Sequence, residues 1–206
     1  MPQPATVAIH WAEQGLLPDR VLRLGIRRLM KQRLSDLRSG DARAGAERTQ
    51  SFVDAMRGAE VAPLAHRANE QHYELPAEFF GAVLGRHRKY SCGHWPDGAD
   101  TLDAAEASAL AITCERAGLA DGQEVLELGC GWGSLSLWMA SHYPASRITA
   151  VSNSQSQRAY IEEEVRRRGL SNLRVLTRDM NAFHTDDRFD RIVSVEMFEH
   201  LSLIHI

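Results

Sequence analysis

Only three cysteines occur in 206 residues, Cys92, Cys114 and Cys130, and no two of them form a C-x-x-C pair. That spacing excludes a zinc ribbon, and the odd number excludes a closed disulfide framework. A reducing, cytoplasmic setting is the expected compartment. No apolar run approaches the ~18 residues that a membrane-spanning helix needs. The opening stretch, MPQPATVAIHWAEQG, lacks both the basic head and the unbroken apolar core of a secretion signal. An excess of either charge is missing as well: 24 Lys and Arg stand against 27 Asp and Glu, a formal net charge of −3, so no nucleic-acid partner is expected for the molecule as a whole. Internal repeats and low-complexity tracts are absent. What is present, 44% hydrophobic and 25% charged residues, is the composition of a globular chain, long enough for one domain plus an extension.

The pattern along the chain changes twice, which divides it into residues 1–65, 66–101 and 102–206. In the first part, Leu22, Ile26, Leu29, Met30, Leu34 and Leu37 recur at helical spacing among arginines between 20 and 33. That spacing predicts an amphipathic helix with a cationic face. Such a helix either packs its leucines inward, with the arginines solvating the outer face, or makes peripheral contact with an anionic membrane surface. The small and polar residues 39–45 interrupt it, and a less regular helical stretch follows up to Pro63. The second part mixes aromatic residues (Tyr73, Phe79, Phe80, Tyr90, Trp95) with Pro76, Gly85, Gly93, Pro96 and Gly98, and reads as a connecting region of short helices and loops.

Helical and strand periods alternate in the third part. Helices are predicted over 102–117, 134–143 and 155–168, and strands over 124–128, 147–151, 173–177 and 190–195. The expected fold class is α/β, a parallel sheet covered on both faces and preceded by a helical extension. Between the first strand and its helix lies Val125-Leu126-Glu127-Leu128-Gly129-Cys130-Gly131-Trp132-Gly133. Glycines let backbone approach a ligand closely and supply positive φ, while the helix N-terminus offers unpaired N–H groups. The competing view is a plain strand-to-helix turn. A dinucleotide fingerprint would place its third glycine where Ser134 stands.

The acid Glu127 followed by Gly129, Gly131 and Gly133 matches E/D-x-G-x-G-x-G, which resembles motif I of class I S-adenosylmethionine-dependent methyltransferases. Together with QHYELPAEFF, KYSCGHW and VSVEMFEH, the block ELGCGWGSLSL is similar to the cyclopropane-fatty-acyl-phospholipid synthase superfamily. These blocks run in order from residue 68 to 200. Glu196 within Val195-Glu196-Met197-Phe198-Glu199-His200 looks closer to the coclaurine N-methyltransferase-like branch, because cyclopropane synthases usually carry a small residue there. The resemblance implies a Rossmann-like class I methyltransferase sheet, of which this chain holds the first four strands, with S-adenosylmethionine as cofactor and no metal.

It also implies residue roles. Tyr90 and Ser91 would cap the methionine end of the cofactor, and Gly129 and Gly131 would face its carboxylate and ribose. The loop after the second strand, Ala150 to Gln157, has no acid for the ribose hydroxyls, so Asn153 and Gln157 become the ribose-side candidates; a polar helix cap is the other view of Gln157. Asp179 would accept from the adenine amino group and Met180 would cover the ring, unless Asp179 is a turn residue. Glu199 and His200 would orient an acceptor amine and take its proton, with Glu196 a further carboxylate in the acceptor pocket. Cys92 and Glu199 also match the bicarbonate site of cyclopropane synthases, whose remaining His and Tyr would lie beyond residue 206; alternatively, Cys92 is a small buried apolar residue.

Residues 201–206, LSLIHI, do not resemble what the family has after His200, which suggests a truncated reading frame. The expected function is methyl transfer from S-adenosylmethionine to a small-molecule acceptor, an amine. A first alternative is methylene transfer to an unsaturated acyl chain of a phospholipid, making the acceptor a lipid. A second is a truncated module that binds the cofactor without turnover.

Overall fold

The structure, a computed structural model, describes residues 4–38, 42–62, 77–198 and 201. The chain divides into two compact units, Met1–Ala55 and Met56–Ile206. In the first, α1 (Pro4–Glu13) and α2 (Asp19–Leu37) precede α3 (Ala42–Arg57), which continues past the division. No residue of α2 is buried, so its leucines do not pack inward. The reason lies in the spacing. Leu29, Arg33 and Leu37 follow one another at i, i+4, which puts a guanidinium inside the apolar stripe.

The second unit begins, among its described elements, with α4 (Ala77–Val83) and α5 (Leu102–Arg116), then alternates β1 (Glu124–Leu128), α6 (Ser134–His142), β2 (Arg147–Ser152), α7 (Gln155–Arg168), β3 (Leu173–Thr177) and β4 (Arg191–Ser194). The helix starts are written in the sequence. Thr101 caps α5 by accepting from Ala104 N at 3.2 Å, and Ser154 caps α7 by accepting from Gln157 N at 3.4 Å. The strands form one all-parallel sheet in the order β3-β2-β1-β4.

Registered rows decide which face meets the helices. Val125 pairs with Ile148, Glu127 with Ala150 and Val193, and Ala150 with Val175. These side chains share a face, and on it Leu110 and Cys114 of α5, Leu135, Leu137, Met139 and Ala140 of α6, and Ile161 of α7 close the core. On the opposite face Leu126, Thr149 and Val151 are buried too. Among the described residues, however, the alternation of strand and helix breaks once. The β3–β4 connection, residues 178–190, has no helix because RDMNAFHTDDRFD carries neither an apolar period nor a run of helix formers.

β1 is central and hands the chain to α6 through Gly133, whose φ is +79° and whose added Cβ would lie 2.6 Å from Ile161 Cγ1. Gly131, at φ +53°, would place a Cβ in open space. We therefore expect Gly133→Ala to lose about 2–4 kcal/mol in urea unfolding, combining left-handed backbone with overpacking. Gly131→Ala should lose only about 1 kcal/mol, from backbone strain alone. Equal losses in the two variants would contradict this account.

Candidate functional site

At the carboxyl ends of β1 and β4 a cavity of about 420 Å³ opens, lined from four directions. The turn after β1 supplies Gly129, Cys130, Gly131 and Trp132; α5 supplies Leu110 and Thr113; the end of β4 supplies Val195 and Glu196; and the segment before α5 supplies Arg88, Lys89, Tyr90 and Ser91. This is the end of an open parallel sheet where ligands bind.

The last of those walls is irregular backbone and needs external anchors. Two carboxylates of α5, one turn apart, provide them. Glu106, itself buried, accepts from Gly85 N at 2.9 Å and His87 N at 3.0 Å, while Asp103 accepts from Arg86 N at 2.7 Å. A Cβ at Gly85 would fall 2.6 Å from Glu106 Oε2. Further along, His94 N donates to Ala105 O at 3.0 Å, and the His94 ring meets Ser108 Oγ at 2.9 Å. Between these anchors Arg88 takes a left-handed φ of 49° and lays its guanidinium 4.0 Å from the Tyr160 ring centroid on α7. Phe80 of α4 joins the walls, edge-on to Tyr90 at 5.3 Å and tilted against Trp132 at 5.0 Å.

Glu127 is the buried acid of the cavity. Its side chain is fully enclosed and accepts from Ser136 Oγ of α6. Burial pushes its carboxyl up to about 7, only partly opposed by that hydrogen bond. Burial also raises the neighbouring Cys130 thiol well above its ordinary range, so this cysteine is an inert wall group. Three cavity-lining polar atoms, Arg88 Nη1, Trp132 Nε1 and Ser134 Oγ, are buried without a partner among the described residues.

Of the residues singled out from sequence, Tyr90, Ser91, Glu127, Gly129, Gly131 and Glu196 come together on this cavity. Glu196 has φ +53°, a conformation that costs a residue with a Cβ about 1 kcal/mol or more. Gly133 lies behind the turn against Ile161. Gln157 is 2% exposed; its Oε1 accepts from Ser152 Oγ at 2.7 Å and its Nε2 has no partner among the described residues. Asn153 is exposed at the start of the same loop. Asp179 closes a turn by accepting from Asn181 N at 2.8 Å, and Met180 follows it. Neither these five residues nor the exposed thiol of Cys92 lines the cavity. Glu199 and His200 lie outside the described residues. Arg88, Lys89, Trp132, Ser134, Leu110 and Thr113 were missed. Lys89 and Trp132 stand inside the motif blocks, so attention to the neighbours of Tyr90 and Gly131 would have found them. Leu110 and Thr113 carry no signal beyond helical spacing.

The model of the mycolic acid cyclopropane synthetase family matches residues 63–204. The chain is 39% identical over 189 residues to (S)-coclaurine N-methyltransferase of Thalictrum flavum subsp. glaucum, covering 92% of this chain and 52% of that protein. It is 37% identical over 168 residues to cyclopropane-fatty-acyl-phospholipid synthase of Escherichia coli (strain K12), covering 77% and 42%. Among solved structures, a coclaurine N-methyltransferase bound to N-methylheliamine and SAH superposes with a TM-score of 0.79 at 38% identity, over 96% of this chain and 57% of that one. The mycolic acid cyclopropane synthase CmaA1 complexed with SAH and CTAB gives 0.57 at 29% identity, over 63% and 45%. The chain thus spans about half the length of the curated relatives it matches. Its parallel sheet has the Rossmann-like methyltransferase fold of these neighbours. With the family model covering well over half of its length, the chain belongs to the mycolic acid cyclopropane synthetase family.

Proposed function

We propose that this cavity binds S-adenosylmethionine and that the whole protein transfers its methyl group to the nitrogen of a small-molecule amine. The observation that carries the reading is the glycine turn at the carboxyl end of β1, with buried polar atoms around it that lack a partner among the described residues and Glu196 on the cavity wall. The residues present suit the cofactor: open space beside Gly131 admits a ligand against backbone, and Trp132 Nε1 and Ser134 Oγ still need partners. Tyr90, Ser91, Gly129 and Gly131 would hold its methionine end and ribose, with Asn153 and Gln157 on the ribose side and Asp179 and Met180 toward adenine. When bound, the cofactor supplies a methyl carbon on a sulfonium, so its leaving group is already activated. The protein then has to align the acceptor and accept a proton.

Glu196 supports an amine acceptor. A glycine would sit at φ +53° without strain, yet a glutamate stands there on the cavity wall at a conformational cost. Such a group attracts an ammonium and has nothing to offer an acyl chain. Glu199 and His200 follow β4 after four intervening residues in sequence; an imidazole, whose ordinary pKa lies near neutrality, suits removal of the amine proton. The resemblance to the Escherichia coli synthase keeps ring formation on an acyl chain as the second reading. The α2 helix, with Arg20, Arg27, Arg28 and Lys31 beside exposed Leu29, Met30 and Leu34, supports peripheral contact with an anionic bilayer. Among the described residues no helix is long and apolar enough to cross a membrane. Three free thiols suit a reducing compartment such as the cytosol.

Three outcomes are expected. With S-adenosylmethionine, the whole protein should add 14 Da to members of an amine panel and leave alkenes of a phospholipid panel intact; alkene consumption would transfer the assignment to the second reading. Glu196→Gln should raise KM for the amine about tenfold, the order of one charge-assisted contact, with SAH affinity unchanged; an unaltered KM removes Glu196 from the acceptor site. The third concerns pH. Because the Glu127 carboxyl is raised to about 7, it is protonated below that value and charged above it, and the α-ammonium of the ligand favours the charged form. SAH affinity measured by calorimetry should therefore rise about tenfold from pH 6 to 8, while Glu127→Gln should bind weakly and show a flat profile. A flat wild-type profile would rule out Glu127 as the partner of the ligand's cation.

A further inference from the structure

Lys89 is only 7% exposed, yet it lies on the wall of the cavity. Its ammonium donates to Ser91 Oγ, and among the described residues no carboxylate forms an ion pair with it. Two of its three donor hydrogens are left for something else. A buried ammonium with one hydroxyl partner is costly unless an anion arrives. The same cavity holds a buried carboxylate in the same condition, because Glu127 has a serine hydroxyl, Ser136 Oγ, and no salt bridge among the described residues.

The two charges do not neutralise each other. Lys89 is held on the strap before α5 and Glu127 on the central strand, so the cavity presents one buried cation and one buried anion separately. A single small group that satisfies both is a zwitterion, and an α-amino acid carries its ammonium and carboxylate on one carbon. We propose that Lys89 binds the α-carboxylate of the methionine moiety of the cofactor, opposite Glu127, which receives its α-ammonium. The inference rests on the cofactor reading above and adds a charge contact by which the amino-acid end of the ligand is told from the rest of the molecule. Ser91 then has a second role. Its hydroxyl fixes the lysine stem so that the free hydrogens face the cavity, which lowers the ordering cost of a long flexible side chain on binding.

The test uses the 206-residue chain and two thioether probes measured by isothermal titration calorimetry. One is SAH. The other is 5′-deoxy-5′-(3-aminopropylthio)adenosine, which keeps the ammonium and lacks the carboxylate. Wild type should bind SAH at least tenfold more tightly than the aminopropyl probe. Lys89→Met should weaken SAH at least tenfold and leave the aminopropyl probe within about twofold, and Lys89→Arg should recover part of the loss. If Lys89→Met lowers the melting temperature enough to prevent titration, Lys89→Gln, which keeps the stem and a neutral donor, takes its place with the same expected selectivity. Parallel weakening of both probes would show a structural role for Lys89 and overturn the proposal, as would an unchanged SAH affinity. If wild type binds neither probe, the cofactor reading fails and the proposal with it. If wild type binds both and Lys89→Met discriminates no less than wild type, only the Lys89 assignment falls.

Discussion

The way the chain leaves β1 constrains everything around the cavity. A central parallel strand must deliver its carboxyl end to the start of a helix within five residues, 129–133, and that helix must lie back on the same face of the sheet. Gly133 meets this demand with a left-handed backbone and no side chain, which lets Ile161 of α7 close in behind it. Were the turn wider, α6 would lift from Val125 and Ile148, and Ser136 would no longer reach Glu127. The packing of the core and the geometry of the ligand wall therefore depend on one backbone conformation.

A second dependence is electrostatic. Glu127 and Lys89 are both enclosed, each with a single serine hydroxyl for company among the described residues. A fold optimised for stability alone would put apolar side chains at both positions. The same holds for the unpartnered Arg88 Nη1 and Trp132 Nε1 and for Glu196 and Arg88 at positive φ. These costs cluster on one cavity and are offset by the helix-covered sheet face, where Leu110, Met139, Ile148 and Ile161 are fully enclosed. Strain and unsatisfied polarity concentrated at one place are the usual physical mark of a site shaped for a ligand.

Much of the second unit was legible in the sequence because its signals are local. Strand and helix periods placed β1 to β4 and α5 to α7 within a few residues, Thr101 and Ser154 announced two helix starts, and Gly169 one stop. Motif spacing found Glu127, Gly129, Gly131 and Glu196. Leu110 and Thr113 were not found, because a cavity contributed by the inner face of a helix has no sequence mark distinct from core. Lys89 escaped because lysine next to an aromatic residue is usually solvated, and only the fold shows it enclosed. The α2 leucines pointed to a buried face, but Arg33 interrupts that stripe, and a count of apolar positions does not weigh one charge in the middle of them.

The anchoring of residues 85–87 has an evolutionary consequence. Glu106 and Asp103 hold this strap through its backbone N–H groups alone, so the fixing is blind to the side chains of Arg86 and His87. The exposed Arg86 is therefore free to change without loosening that grip, whereas His87, whose ring stands edge-on to Trp138 at 5.1 Å, and Gly85, where a Cβ would meet Glu106, are not. Substitution at Arg86 can thus alter the outer surface of the strap without moving Lys89, Tyr90 and Ser91 from the cavity.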